Sequence, residues 1–262
     1  MKRYDSKKLE LFARDVFMSL GASHENASMA ARHLITAELR GIPSHGMIRI
    51  LDYVRLYREG RLNPNPVLNV QHETLSTAAV DGDMGLGMVV GEKAMEMVIG
   101  KARTAGTGWV AVNNSNHYGI AGYYAMMALE EDMIGLAMTN ANPSVAPTFS
   151  VERLLGTNPI ALAAPAMEQP PFVADFATST IPRGKIVIAM RAGVEVPEGY
   201  VQDKHGNPTT DPNVVKDGGS LLPLGSDSIH SSHKGYCISG MVDILSGILS
   251  GASFGMWVPP IS

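Results

Sequence analysis

Over residues 5–20, Leu9, Phe12, Ala13, Val16, Phe17 and Leu20 recur at three- and four-residue steps, the spacing of a helix that Gly21 ends. Ser23 is placed to cap a second helix, with Ala27, Ala30, Ala31, Leu34 and Ile35 on its apolar face and Gly41 and Pro43 stopping it. Ser44 or His45 then opens a third, with Ile48, Leu51 and Val54 inward. The pattern predicts a helical N-terminal unit over residues 1–70, with Asn63, Pro64, Asn65 and Pro66 as its linker. From Ser76 the period changes. Short strands are expected at residues 77–81, 109–112, 134–138, 160–165 and 171–175, with helices at 92–104 and 121–131. This alternation predicts an α/β fold with α+β character over residues 71–262. Residues 193–232, rich in Gly, Pro, Asp and Ser, read as loop. Residues 237–258 carry one charge, Asp243, and read as a buried helix rather than a membrane span, because Ser and Gly recur through them.

Composition narrows the classes. The 262 residues carry 21 Lys+Arg against 25 Asp+Glu, a net charge of -4, so a nucleic-acid partner is not expected. A single cysteine, Cys237, excludes a disulfide framework, and none of the histidines has zinc-like spacing, so no metal is expected. The N-terminal residues Met1 to Asp5 lead into amphipathic sequence without an apolar leader, which predicts a cytoplasmic protein.

The glycine-rich segment Asp81 to Gly91 sits between a strand and a helix, but its spacing is GxGxxxG, and no acidic residue follows the next strand. It reads as a tight turn, not a Rossmann fingerprint. Ser44 and His45 stand at an expected helix start, where free N–H groups favour anions and hold an imidazole near neutral. Arg49 and Tyr53 follow at four-residue steps. Together they offer a proton-transfer group, a carboxylate clamp and a hydroxyl donor. A cap and a surface histidine would explain the same residues. His117 ends a strand and is a second acid/base residue, or a structural histidine. Polar clusters at Gly156 to Pro159 and Asp175 to Ser179 suit a ribose or pyrophosphate, or simply form turns. Lys234, after His233, suits a phosphate or is a solvated charge.

Several segments occur in one order: Ser44-His45-Gly46, Asn116-His117-Tyr118-Gly119, Gly156-Thr157-Asn158-Pro159, Arg183-Gly184-Lys185, Gly206 to Pro212, and Lys234-Gly235-Tyr236. That order resembles the type 2 malate/L-lactate dehydrogenase family, which includes L-sulfolactate and ureidoglycolate dehydrogenases. The resemblance implies a non-Rossmann mixed-sheet nucleotide-binding domain with a helical N-terminal domain, L-sulfolactate dehydrogenase-like, in a homodimer. It implies hydride transfer between NAD or NADP and a 2-hydroxy/2-oxo acid such as malate or lactate. By motif, His45 and His117 would be the acid/base residues, with His45 favoured because Ser44 and the helix start flank it. Arg49 and Tyr53 would bind substrate. Ala141, Asn142, Val173, Asp175, Phe176, Ala177, Thr178, Ser179, His233 and Lys234 would bind the cofactor. Cys237 stands where the family has glycine, which is expected to crowd the cofactor phosphate or the helix start. The chain ends at Pro259-Pro260-Ile261-Ser262, where the family continues, so the sheet domain is expected to be incomplete. A truncated inactive relative serving as a fold or dimerisation partner, and a nucleotide-binding module without turnover, remain open alternatives.

Overall fold

The computed structural model describes residues 3–261; Met1, Lys2 and Ser262, which enter the readings of the two chain ends, lie outside them. Two compact units form. One takes in the chain up to Leu136 with Leu162–Val173; the other takes in Ala137–Ala161 and Ala174–Pro260. Helices and strands alternate as the α/β pattern predicts.

The first unit opens with α1 (Ser6–Ser19), α2 (His24–Leu39) and α3 (Ile50–Arg58). Asp5 accepts the Lys8 N–H at 2.9 Å and Ser23 Oγ accepts the Asn26 N–H at 3.1 Å, satisfying amides that a helix start leaves open. Gly21 ends α1 at φ +87°, a conformation that costs glycine little. Ala13 and Phe17 of α1 share a core cluster with Ala27, Ala30, Ala31 and Leu34 of α2. Three expected inward positions are corrected here. Phe12 is exposed, and α3 buries Ile50, Tyr53 and Leu56, leaving Ile48 exposed and Leu51 76% exposed. The cause is local. Residues 43–49 form two 3-10 turns, Pro43–His45 and Met47–Arg49, before the α-helix begins at Ile50. A three-residue turn shifts the phase of a 3.6-residue pattern.

β1 (Asn69–Glu73), β2 (Thr77–Gly85) and β3 (Trp109–Ser115) form a sheet in that order. β1 and β2 are antiparallel, and β2 and β3 are parallel, with α4 (Gly87–Ala105) as the crossover. Every residue of β1 is exposed, so no alternation marked it. The glycine-rich segment is the end of β2 and the start of α4 rather than a free turn. A Cβ on Gly85 would meet Val90 and Pro66, and one on Gly87 would meet the carbonyl oxygens of Asn116 and His117. These glycines serve close approach. Gly87→Ala is therefore expected to lower stability by about 1–3 kcal/mol, the usual cost of overpacking a tight contact. Urea unfolding of the variant measures it, and an unchanged midpoint would contradict the packing argument.

α5 (Ala121–Met127) runs on into a 3-10 turn, Ala128–Glu131. β4 (Gly135–Met138), β5 (Ile160–Ala164) and β6 (Phe172–Phe176) form a second sheet in that order.

The second unit contains α6 (Arg183–Ala192), the short strands β7 (Val201–Gln202), β8 (Pro208–Thr209) and β9 (Ser220–Leu221), and α7 (Ser232–Ser246). Within the loop-rich stretch the three strands pair antiparallel in the order β8-β7-β9. The sequence assigned no element to α6. Its isoleucines, valine and glycine favour strand or turn locally, and the buried Ile186 and Ala189 pack it into a core with Val201 and Leu221.

The apolar stretch after Cys237 is also corrected. It is helical only to Ser246, and Met241, Ile244, Leu249 and Trp257 are exposed. The buried face of α7 is small and polar: Gly235 abuts the Leu224 backbone, and Asp243 Oδ2 accepts the Gly255 N–H at 3.0 Å. Among the described residues no helix is long and apolar enough to cross a membrane.

Candidate active site

Ser44, His45, Arg49, Tyr53 and His117 gather in the first unit. Ser44 and His45 lie on the first 3-10 turn, Arg49 ends the second, and Tyr53 is in the first turn of α3. His117 follows β3. The Asn116 amide reaches the carbonyls of Arg61, Met84 and Gly85 at 3.1, 2.8 and 3.2 Å and so pins that turn. Gly119 completes the turn at φ +78°, where a Cβ would strike His33.

The His45 and His117 rings lie nearly parallel, 15° apart with centroids 5.6 Å apart. Tyr53 Oη is 2.8 Å from His117 Nδ1, and the Gly119 N–H donates to the same nitrogen at 3.3 Å. A backbone amide only donates, so Nδ1 accepts and the ring proton is assigned to Nε2. Ser44 Oγ lies 3.0 Å from His45 Nδ1. Among the described residues neither Nε2 has a protein hydrogen-bond partner.

Burial, then the Arg49 charge, lowers the His45 pKa to about 4. Burial, then His45, Arg49 and His33, holds His117 well below the ordinary imidazole value. Burial pushes the Tyr53 phenol up. Both imidazoles are therefore neutral near pH 7. The expectation that a helix start neutralises His45 is corrected: the α-helix begins at Ile50, and burial with Arg49 does the work.

Arg49 Nε donates to the Ser44 carbonyl at 2.7 Å, and Nη1 pairs with Asp52 at 3.0 Å. Nη2 has no protein partner among the described residues. The guanidinium is thus oriented with donors left over.

Two residues of this cluster were not singled out from sequence. His33 is fully buried on α2, between Tyr123 and Tyr124 at centroid distances of 4.4 and 5.2 Å. Its Nε2 accepts the Ile120 N–H at 2.9 Å, and its Nδ1 has no partner. The available sign was a polar residue at a core position, in phase with Ala30, Leu34 and Ala37. Glu38 accepts the Met47 N–H at 2.8 Å and packs against Gly46; no sequence signal marked it.

Burial, then His45, lowers the His33 pKa to about 3. Unfolded, an imidazole titrates near 6.5, so below that pH the unfolded chain binds more protons than the folded one. Stability must then fall as pH falls through 6.5 toward 3. From pH 7 to 5 this group alone is expected to cost about 2 kcal/mol. Urea unfolding at both pH values measures the loss, and His33→Gln should reduce its slope by about one proton. An equal slope in that variant would contradict the assignment.

The other sequence-selected residues lie in the second unit, except Val173 on β6 in the first. Their loops gather on the fully buried Asn158. Its Oδ1 accepts the Ala141 N–H at 2.9 Å, and its Nδ2 donates to the Ser239 carbonyl at 3.1 Å. Thr178 Oγ1 is within reach of the Thr157 and Asn158 carbonyls at 3.2 and 3.1 Å, and Ser179 Oγ donates to the Ile181 carbonyl at 2.9 Å. Those hydroxyl protons are committed internally. Asn142, Asp175 and Ala177 are half-buried, while Phe176, His233 and Lys234 are exposed. Lys234 makes no ion pair among the described residues. Cys237 is exposed, and α7 runs through it without a break, so the helix start is not crowded by its side chain. Among the described residues no group of three His, Cys, Asp or Glu side chains is arranged to hold a metal ion.

A sequence profile of the family described as malate/L-lactate dehydrogenase matches residues 4–262. The malate dehydrogenase of Pyrococcus horikoshii is 49% identical over 257 residues, covering 98% of this chain and 71% of that protein. The L-sulfolactate dehydrogenase of Methanocaldococcus jannaschii is 42% identical over 255 residues, covering 97% and 71%. Among solved structures, malate dehydrogenase from Entamoeba histolytica superimposes with a TM-score of 0.94 at 40% identity, covering 97% of this chain and 73% of the other.

Proposed function

The chain belongs to the malate/L-lactate dehydrogenase family, and on that premise we propose that it transfers a hydride between NAD or NADP and C2 of a 2-hydroxy/2-oxo acid such as malate or lactate. The observation that carries this reading is the pair of neutral imidazoles, His45 and His117, each held at Nδ1 and open at Nε2, beside an oriented Arg49.

The residues divide the work. A carbinol carbon releases hydride only as its hydroxyl proton leaves to a base. His45 can hold its own proton on Nδ1 toward Ser44 Oγ and present a basic Nε2. His117 presents an Nε2–H. The pair offers the substrate oxygen one acceptor and one donor, and the donor steadies alkoxide charge when the direction is reversed. Arg49 holds the substrate carboxylate through Nη2 and the remaining Nη1 hydrogen, which fixes the face of C2 presented. That carboxylate also offsets the charge that helps depress the His45 pKa. Substrate binding therefore restores basicity to the group that must take the proton. Tyr53 orients His117.

By the family motif, Ala141, Asn142, Val173, Asp175 to Ser179, His233 and Lys234 are the residues that would contact the cofactor, with Lys234 of a kind that suits its phosphates. When bound, the cofactor supplies or takes the hydride. A homodimeric, cytoplasmic enzyme is part of the same proposal and rests on the family resemblance.

Binding of NADH and NADPH, followed by fluorescence, and a screen of 2-oxo acids for loss of reduced nicotinamide test the reading. Turnover with one of these acids is the expected result. Binding without turnover would favour a nucleotide-binding module, and neither would favour an inactive relative.

A further inference from the structure

The second unit holds a cavity of about 620 Å³ that the reaction above does not use. One wall is the face of α6 that carries Arg183, Ile186, Met190 and Arg191; Ser144, Arg153 and Lys216 stand elsewhere around it. Its volume falls in the range of small-molecule sites. The lining carries four cationic side chains and no carboxylate, in a chain whose net charge is -4.

None of the four cations forms an ion pair among the described residues. Arg153 is held from behind by backbone carbonyls alone: Nε donates to Gly219 at 2.8 Å and Nη2 to Val215 at 2.6 Å. Those bonds fix the guanidinium without neutralising it. Burial and the nearby Arg183 charge both push its pKa down from the ordinary value, which is what crowding of like charges produces.

A second observation is independent of charge. Ser144 is 8% exposed and lines the cavity, yet its hydroxyl makes no hydrogen bond among the described residues. That hydroxyl opens to the cavity, so it is free to donate to a ligand seated there. An anion with several acceptor oxygens satisfies the hydroxyl and the guanidinium groups together. Ile186 and Met190 give the same cavity an apolar wall for an organic body.

We propose that this cavity binds a small phosphate-bearing anion, a phosphate or pyrophosphate group seated among Arg153, Arg183, Arg191 and Lys216 against the Ser144 hydroxyl. The proposal rests on the lining of the cavity and holds whether or not the hydride-transfer reading does. The group can belong to the dinucleotide cofactor or to a separate phosphorylated metabolite, and the chemistry of recognition is the same.

Inorganic pyrophosphate titrated into the full chain by calorimetry, near physiological salt, is the test. Saturable one-to-one binding is expected. Arg191→Gln with Lys216→Gln, both at exposed side chains, should weaken it by about tenfold or more, the equivalent of about 1.4 kcal/mol. Ser144→Ala should weaken it by a smaller factor while leaving the melting temperature unchanged. Absence of saturable binding, or equal affinity in folded variants, would overturn the proposal. Repeating the titration with saturating NADH or NADPH separates the sources: competition assigns the phosphate to the cofactor, and simultaneous binding assigns it to a second ligand.

Discussion

Replacing His117 with alanine is expected to lower turnover by about two to four powers of ten, the range for a lost acid/base group, and His45→Ala by a comparable factor. The expectation follows from geometry. Both rings are neutral, nearly parallel, and open at Nε2, and each has its own task at the substrate oxygen, His45 accepting and His117 donating, so neither replaces the other. Tyr53→Phe removes only the group that orients His117, and its loss should be closer to tenfold. Steady-state kinetics with the preferred 2-oxo acid measure all three, with cofactor binding as the control for folding. Parent-like turnover in a His117→Ala and a His45→Ala protein that still bind cofactor would remove both histidines from the mechanism.

Arg49→Leu is expected to raise KM for the 2-oxo acid by about ten- to a hundredfold, since hydrogen bonds to a charged group are worth about 1.5–3 kcal/mol. The variant carries a second signature. The Arg49 charge is the second cause, after burial, of the low His45 pKa. Removing a positive neighbour makes protonation easier, so the His45 pKa must rise. The acid limb of kcat/KM against pH for oxidation of the 2-hydroxy acid, where neutral His45 takes the proton, should therefore move to higher pH. A purely structural role for Arg49 would lower stability without that shift. An unchanged KM with an unmoved acid limb would contradict the clamp.

Local chemistry made much of this legible. Ser23 and Gly21 announce a helix cap and a helix end, and both act as read. The faces of α1 and α2 follow from three- and four-residue spacing, with Phe12 the exception. His45 and His117 stood out because one sits at an expected helix start and the other at a strand end, where functional groups gather. What they do to each other was not readable, because 72 positions separate them and only the folded chain stacks their rings.

The misses share a cause: tertiary contacts overruled local preference. α6 is a helix because Ile186 and Ala189 pack inward, against the leaning of its β-branched residues. β1 carries no buried residue, so its pairing with β2 left no trace in the pattern. His33 was hidden in a helix face that otherwise reads as plain core, and Ser144 in a loop with no motif. Arg153, Arg183, Arg191 and Lys216 are scattered along the chain, and only the cavity shows that their charges meet.

The central claim is that this chain moves a hydride onto C2 of a 2-oxo acid while its paired histidines handle the proton. Reduced NAD or NADP carrying deuterium at the transferred position, incubated with the purified chain and oxaloacetate, tests it most directly. Mass spectrometry should find malate labelled at C2, with the label appearing about two to four powers of ten more slowly in His117→Ala although that variant still binds cofactor. Cofactor binding by the parent chain with no deuterium at C2 of malate, or of the hydroxy acids formed from pyruvate and sulfopyruvate, would contradict the account.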